Sequence, residues 1–369
     1  MNNPVINLAV PGVRGLEPYQ PGKPIEELER EYGVSGAIKL ASNENSLGPS
    51  PRALAAARDA LSDIHRYPDG NGFVLKSALA RKHGIKPECI TLGNGSNDIL
   101  EFLARAFVQP ENEVVFSEHA FAVYPIVTRA VGAKAVVTKA KNWGHDLTAM
   151  RAAVNTRTRL IFIANPNNPT GTWLKADELE EFLRAMSAHV LVAVDEAYFE
   201  YVEEREYPNT IAWTAKYPNL VTTRTFSKAY GLAGLRVGYG ISSPAIADIL
   251  NRVRQPFNVN SVALAAATAA LEDDAHVTRA VRTNRDGMRQ LIDAFKEWGL
   301  EYVPSAGNFV CVDFKRPAGP VYEALLRQGV IVRPVANYGM PNHLRVTVGL
   351  PDENERFIKA LEKVMRTEV

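Results

Sequence analysis

Two rhythms of apolar and polar residues run along the chain. From about residue 50, short apolar runs (ECITLG, EVVFSE, KAVVTKA, RLIFIANP, VLVAVDEAY, LVTTRTFS and RVGYGIS) alternate with stretches of helical spacing. Strands that read as near-continuous apolar runs and are separated by helices predict an α/β domain with a largely parallel sheet, because such a sheet is covered on both faces. Helical text follows around Ile246 to Arg254 and in the Ala-rich VALAAATAALEDD. The order then becomes helix, NFVCVDF, helix, VIVRP, LRVTVGL and helix, which predicts a compact α+β unit. Residues 1 to 45 are rich in Pro and Gly, with one short amphipathic helix predicted near IEELEREYG, and read as an arm lying on a body. The expected organisation is an arm over 1–45, a large domain over 46–270 and a small domain over 271–369. No internal repeat or low-complexity tract is visible.

Charge narrows the partners. Forty-two Lys and Arg against 41 Asp and Glu leave a net +1, so no global field favours nucleic acid or an acidic membrane, and any anion must be bound locally. Cys89 and Cys311 both read as strand-like and apolar, which points to a reducing compartment and away from a disulfide framework or a metal cluster. The start lacks a basic segment leading into an apolar stretch, and no uncharged apolar run is long enough to span a bilayer. The expectation is a cytoplasmic protein with no membrane partner.

Four motifs carry chemistry. In TFSKAYGLAGLRVGYG an apolar strand ends in Thr225, Ser227 and Lys228, and Arg236 follows eight residues after the lysine. Short hydroxyl donors with a bidentate guanidinium suit a phosphate monoester, and a lysine amine condenses with an aldehyde. The competing reading is a surface lysine at a strand end. In VLVAVDEAYFEY, Asp195 and Tyr198 emerge at the carboxyl end of an apolar strand, the edge at which open α/β sheets bind ligands. A carboxylate there can pair with a protonated pyridine nitrogen and a tyrosine can bond a ring oxygen. A helix-capping Asp with a core Tyr, or a magnesium site, are the alternatives. RLIFIANPNNPTGTWL ends in a rigid turn that offers Asn168 as a fixed hydrogen-bonding group. In ITLGNGSNDILEFLARAF a strand meets Gly95 and a helix opens at Ser96 or Asn97, whose free N–H groups suit phosphate. A Walker loop would need a GK[ST] that this turn lacks.

With Asn168 in NNPTG, Asp195 and Tyr198 in DEAY, and Ser227, Lys228 and Arg236 in SKAYGLAGLRVG, the chain resembles the fold-type I pyridoxal-5'-phosphate (PLP) dependent aminotransferases, in the same order over nearly its whole length. RGLEPYQPGKPIEELEREYG, KLASNENSLGPSP and HRYPDGNG are similar to the narrower histidinol-phosphate aminotransferase family. The resemblance implies a homodimer with shared sites, in which Tyr67 reaches the cofactor phosphate of the other subunit. It implies that Phe121 stacks on the pyridine ring, where a tyrosine is more usual, and that Lys228 binds the cofactor and then serves as the base. Arg345 corresponds to the arginine that binds the substrate carboxylate, and Arg333, Tyr19 and Asn43 to substrate-binding groups. The implied reaction exchanges the amino group of L-histidinol phosphate with 2-oxoglutarate. An aromatic amino-acid aminotransferase, a threonine-phosphate decarboxylase and a non-catalytic PLP-binding module are the alternatives.

Overall fold

A computed structural model describes residues 4–366. In chain order the strands are β1 (Ile38–Lys39), β2 (Ile90–Gly93), β3 (Glu113–Ser117), β4 (Lys134–Thr138), β5 (Ala140–Lys141), β6 (Gly144–His145), β7 (Thr158–Ala164), β8 (Leu191–Asp195), β9 (Leu220–Thr225), β10 (Gly238–Ile241), β11 (Glu301–Val303), β12 (Phe309–Asp313), β13 (Val330–Ile331), β14 (Arg333–Pro334) and β15 (His343–Thr347). Each of the apolar runs lies on a strand. Seven strands form one sheet in the order β2-β10-β9-β8-β7-β3-β4. Only β10 runs antiparallel to its neighbours; the remaining pairs are parallel.

Every residue of β2, β3, β8, β9 and β10 is buried, which explains why these strands read as apolar runs instead of alternating. Strand alternation sends Leu160 and Phe162 to one face, against Ile99, Phe102 and Leu103 of the helix Ser96–Phe107. Ile161 and Ile163 go to the other face, against Leu179, Phe182 and Leu183 of the helix Ala176–Ala185. Because β7, β8 and β9 are parallel neighbours, their carboxyl ends lie side by side, and three of the four sequence motifs sit on those ends.

A second, antiparallel sheet has the order β11-β12-β15-β14. Val310, Val312, Leu344 and Val346 pack there on Phe295 of the helix Asp274–Glu297 and on Phe357 and Leu361 of the helix Pro351–Arg366. We propose that the chain divides near residues 45 and 270; the change from a parallel to an antiparallel sheet supports the second boundary. Three details differ from the sequence pattern. The end of the arm forms β1, paired parallel with β13. The antiparallel sheet gains β11, a short strand opened by a charged Glu301. Cys89 closes a 3-10 turn, Pro87–Cys89, instead of lying in a strand; Pro at its start favours the turn. Among the described residues no helix is long and apolar enough to cross a membrane.

Candidate active site

A cavity of about 160 Å³ opens at the carboxyl ends of β7, β8 and β9. Lys228, Asp195, Tyr198, Asn168, Phe121, Ser96, Asn97, Thr225, Ser227, Arg236, Tyr19, Asn43 and Arg345 all line it. Gly95, Tyr67 and Arg333 do not.

One end of the cavity is a cradle of donors. The helix Ser96–Phe107 begins beside it, so its first N–H groups have no intrahelical acceptor. Arg236 adopts the left-handed conformation, φ 53°, and its Nη1 donates to Ser227 Oγ at 3.2 Å. Thr225 Oγ1 donates to the same oxygen at 3.0 Å. Glycine is required around this corner: a Cβ on Gly95 would lie 2.5 Å from Arg236 Nη2, and one on Gly238 2.4 Å from Ser96 N. Gly95 therefore shapes the cradle without lining it. A guanidinium, two hydroxyls and a helix start facing one small volume suit a phosphate monoester.

Asp195 and Lys228 stand further along. Thr223 Oγ1 donates to Asp195 Oδ1 at 2.9 Å, and Tyr124 Oη to Oδ2 at 3.2 Å. Burial pushes the Asp195 carboxyl up to about 6, against the pull of these two hydrogen bonds. Burial, then the nearby Arg345, pulls the Lys228 ammonium down to about 7. Its Nζ donates to Ser42 O at 3.1 Å. The site thus holds a carboxylate that is charged at neutral pH and an amine poised between base and acid.

The third part comes from the antiparallel sheet and the arm. Arg345 on β15 donates to Asn168 Oδ1 at 2.5 Å and to Ala41 O at 2.6 Å, while its buried Nε meets no acceptor among the described residues. Asn43 Nδ2 donates to Tyr198 Oη at 2.9 Å. Arg333 is the cross-strand partner of Arg345, but its side chain turns away: it donates to Gln20 O, lies 5.4 Å from the Tyr19 ring and lines a neighbouring cavity of about 610 Å³. Tyr19 lines both cavities and is the wall between them. Tyr67 is 83% exposed and stacks on Phe257, away from the cavity of its own chain. Sequence reasoning missed Ser42, Thr223 and Tyr124. Thr223 was open to it, since strand alternation places it on the same face as Thr225; Tyr124 looks like any apolar helix residue, and Ser42 acts through its backbone.

Residues 35–361 match the family model for class I and II aminotransferases. The chain is 62% identical over 367 residues to histidinol-phosphate aminotransferase 2 of Pseudomonas fluorescens, covering 99% of each chain. It is 62% identical over 358 residues to histidinol-phosphate aminotransferase 1 of Nitrosococcus oceani, covering 97% of each. Among solved structures it superposes on histidinol-phosphate aminotransferase from Sinorhizobium meliloti in complex with pyridoxal-5'-phosphate, with a TM-score of 0.90, 31% identity and coverage of 97% of this chain and 98% of that one.

Proposed function

Because this chain belongs to the class I and II aminotransferases, we propose that it transfers the amino group of L-histidinol phosphate to 2-oxoglutarate, a step of histidine biosynthesis, with pyridoxal phosphate as cofactor. The observation that carries the chemistry is a lysine amine, a buried carboxylate and a phosphate cradle on one cavity. The substrate rests on the 62% identity, over nearly the full chain, to relatives named for it.

The residues fit the cofactor. Ser96, Asn97, Thr225, Ser227 and Arg236 would hold its phosphate, Asp195 its ring nitrogen, Tyr198 and Asn168 its ring oxygen, and Phe121 its ring face. When bound, pyridoxal phosphate supplies an aldehyde that carries the amino group and a ring that takes up electron density. Lys228 would hold the cofactor at rest, and its freed amine would move the proton off the substrate's α-carbon. An amine lowered to about 7 is both deprotonated often enough to accept that proton and basic enough to hold it. Asp195, ionised above about pH 6, favours a protonated ring nitrogen. Arg345, a cation on the cavity wall, would receive the carboxylate of the 2-oxo acid. Tyr19, the wall toward the second cavity, would meet the substrate's own phosphate, with the Arg333 guanidinium 5.4 Å from its ring supplying positive charge from behind.

The reading includes a homodimer in which Tyr67 reaches the cavity of a second copy. Exposed Tyr67, Phe73, Val74, Ile64 and Leu61 support it, because a monomer rarely leaves so many large apolar side chains in water on neighbouring segments. Cytoplasmic location is part of the same reading, supported by the two free cysteines.

Absorbance of the purified protein tests the substrate. Micromolar L-histidinol phosphate is expected to bleach the visible band of the bound cofactor in a half-reaction without acceptor. Bleaching by L-phenylalanine with no response to histidinol phosphate would move the function to aromatic amino acids.

A further inference from the structure

The last residues of the arm cross the cavity and touch three of its working side chains. Ala41 O accepts from Arg345, Ser42 O from Lys228, and Asn43 donates to Tyr198. The third contact differs from the others because it involves a side chain that could have pointed either way.

We propose that Asn43 is a positioning residue, not a substrate contact: it fixes the hydrogen-bond polarity of Tyr198 so that the phenol accepts from Asn43 and presents its own proton to the cavity. This deepens the cofactor reading above and rests on it. The direction of the amide follows from Thr347. Asn43 N donates to Thr347 Oγ1 at 2.9 Å, which occupies a lone pair of that hydroxyl and leaves its single proton for Asn43 Oδ1, 3.1 Å away. With the carbonyl end of the amide engaged, the NH₂ end faces Tyr198. A phenol that accepts this hydrogen bond still has its own proton, and among the described residues no acceptor takes it inside the protein. The backbone supports the arrangement. Asn43 adopts φ 56°, a left-handed conformation that Asn tolerates. Asn308 Nδ2 clamps the next turn through Asn43 O and Glu44 O, at 3.0 and 3.2 Å. Asn43 and Thr347 are 1% and 2% exposed, so water does not compete for these groups. The other charged or titratable groups that face the phenol are Arg345, Asp195, Tyr338, Tyr124 and Tyr201, with the Lys228 amine 5.7 Å from the ring.

The polarity can be inverted with one atom. In Asn43→Asp a carboxylate replaces the amide, and because Asp also tolerates the left-handed backbone the fold is retained. A carboxylate only accepts, so Tyr198 turns its proton to it and away from the cavity. The cavity then lacks a proton donor at this position, as in Tyr198→Phe, and carries one added negative charge. A proton donor beside the cofactor's ring oxygen favours the oxyanion, so its loss moves the pH midpoint of the bound cofactor's visible band upward, by about one unit. The experiment is a pH titration of that band in the wild-type holoenzyme, Asn43→Asp, Tyr198→Phe and the double variant. The expected result is an upward shift in both single variants and, in the double, a shift smaller than their sum, the excess over Tyr198→Phe being the field of the added carboxylate. Thr347→Val, which keeps the shape but removes the hydroxyl that orients the amide, is expected to shift the midpoint in the same direction by less, and serves if Asn43→Asp does not fold. A midpoint that moves in Tyr198→Phe but stays at the wild-type value in Asn43→Asp or in Thr347→Val overturns the inference, and so do additive shifts in the double variant. A wild-type chain that takes up no pyridoxal phosphate overturns the cofactor reading itself.

Discussion

Asp195 and Glu196 are neighbours at the end of β8, and the pleat sends them to opposite sides of the sheet. Glu196, fully buried, accepts from Arg224 Nε and Nη2 at 2.9 and 2.7 Å and from Thr210 N and Oγ1 at 3.1 and 2.7 Å. Arg224 in turn bonds Asn209 and lies 3.3 Å from the Phe199 ring. Every part of that charge is answered by a partner inside the fold. Asp195 is also buried, yet among the described residues its carboxylate is bonded only by two neutral hydroxyls. Its charge is left for something that enters the cavity. On the proposed function the difference separates a carboxylate that holds the fold together from one held ready for chemistry, and it implies that the second costs stability.

Asp195→Asn breaks the comparison most strongly. Loss of the charge is expected to lower kcat on the order of 10³-fold, read from steady-state transamination of histidinol phosphate. The same variant is expected to stabilise the cofactor-free protein at pH 7. The folded-state pKa, about 6, lies above the ordinary 3.8, so the folded protein holds the proton more tightly than the unfolded chain. The wild type therefore loses stability as pH rises from about 4 to about 6, and stays at that level above. Calorimetry at pH 7 should show the variant more stable by on the order of 3 kcal/mol, the gap closing near pH 4; a less stable variant at pH 7 would refute the cost assigned to Asp195.

Glu196→Gln should do the reverse. It strands the Arg224 guanidinium in the interior, with an expected loss of about 3 kcal/mol in denaturant unfolding. Little change in kcat is expected in whatever protein remains folded. A stability within 0.5 kcal/mol of wild type, about the scatter of ordinary surface substitutions, would mean that the pair is not what answers the charge.

Tyr124→Phe sharpens the comparison with the smallest change. Without one of its two donors the Asp195 carboxyl should rise further, so cofactor uptake by the free protein should begin to weaken at a higher pH than in the wild type. The expected cost in cofactor affinity near neutral pH is about 1 kcal/mol, or roughly fivefold. Binding titrations between pH 5 and 8 would check it, and superimposable curves for the two proteins would remove Tyr124 from the account.

How far the sequence alone reaches follows the same division. Asp195, Lys228 and Arg236 stand at strand ends beside polar or glycine-rich turns, where a charged residue has no ordinary reason to follow an apolar run, and local text exposes them. Arg345 and Arg333 sit in short strands of the antiparallel sheet. With β14 only two residues long, no alternation tells which way Arg333 faces, and its turn toward Gln20 depends on the arm. The pairing of Arg224 with Glu196 is equally hidden, since it joins residues 28 positions apart through strand register. The strand β1 escaped notice because its partner, β13, lies almost 300 residues away and supplies the pairing that two residues alone cannot.

The central claim, that Lys228 is the amine that carries the cofactor, is tested most directly by reducing the pyridoxal-phosphate-loaded protein with borohydride and mapping its peptides by mass spectrometry. A pyridoxyl phosphate mass on the peptide containing Lys228, absent from every other lysine, is the predicted result. The modification on a different lysine, or no modification in a protein that shows the visible band, would contradict it.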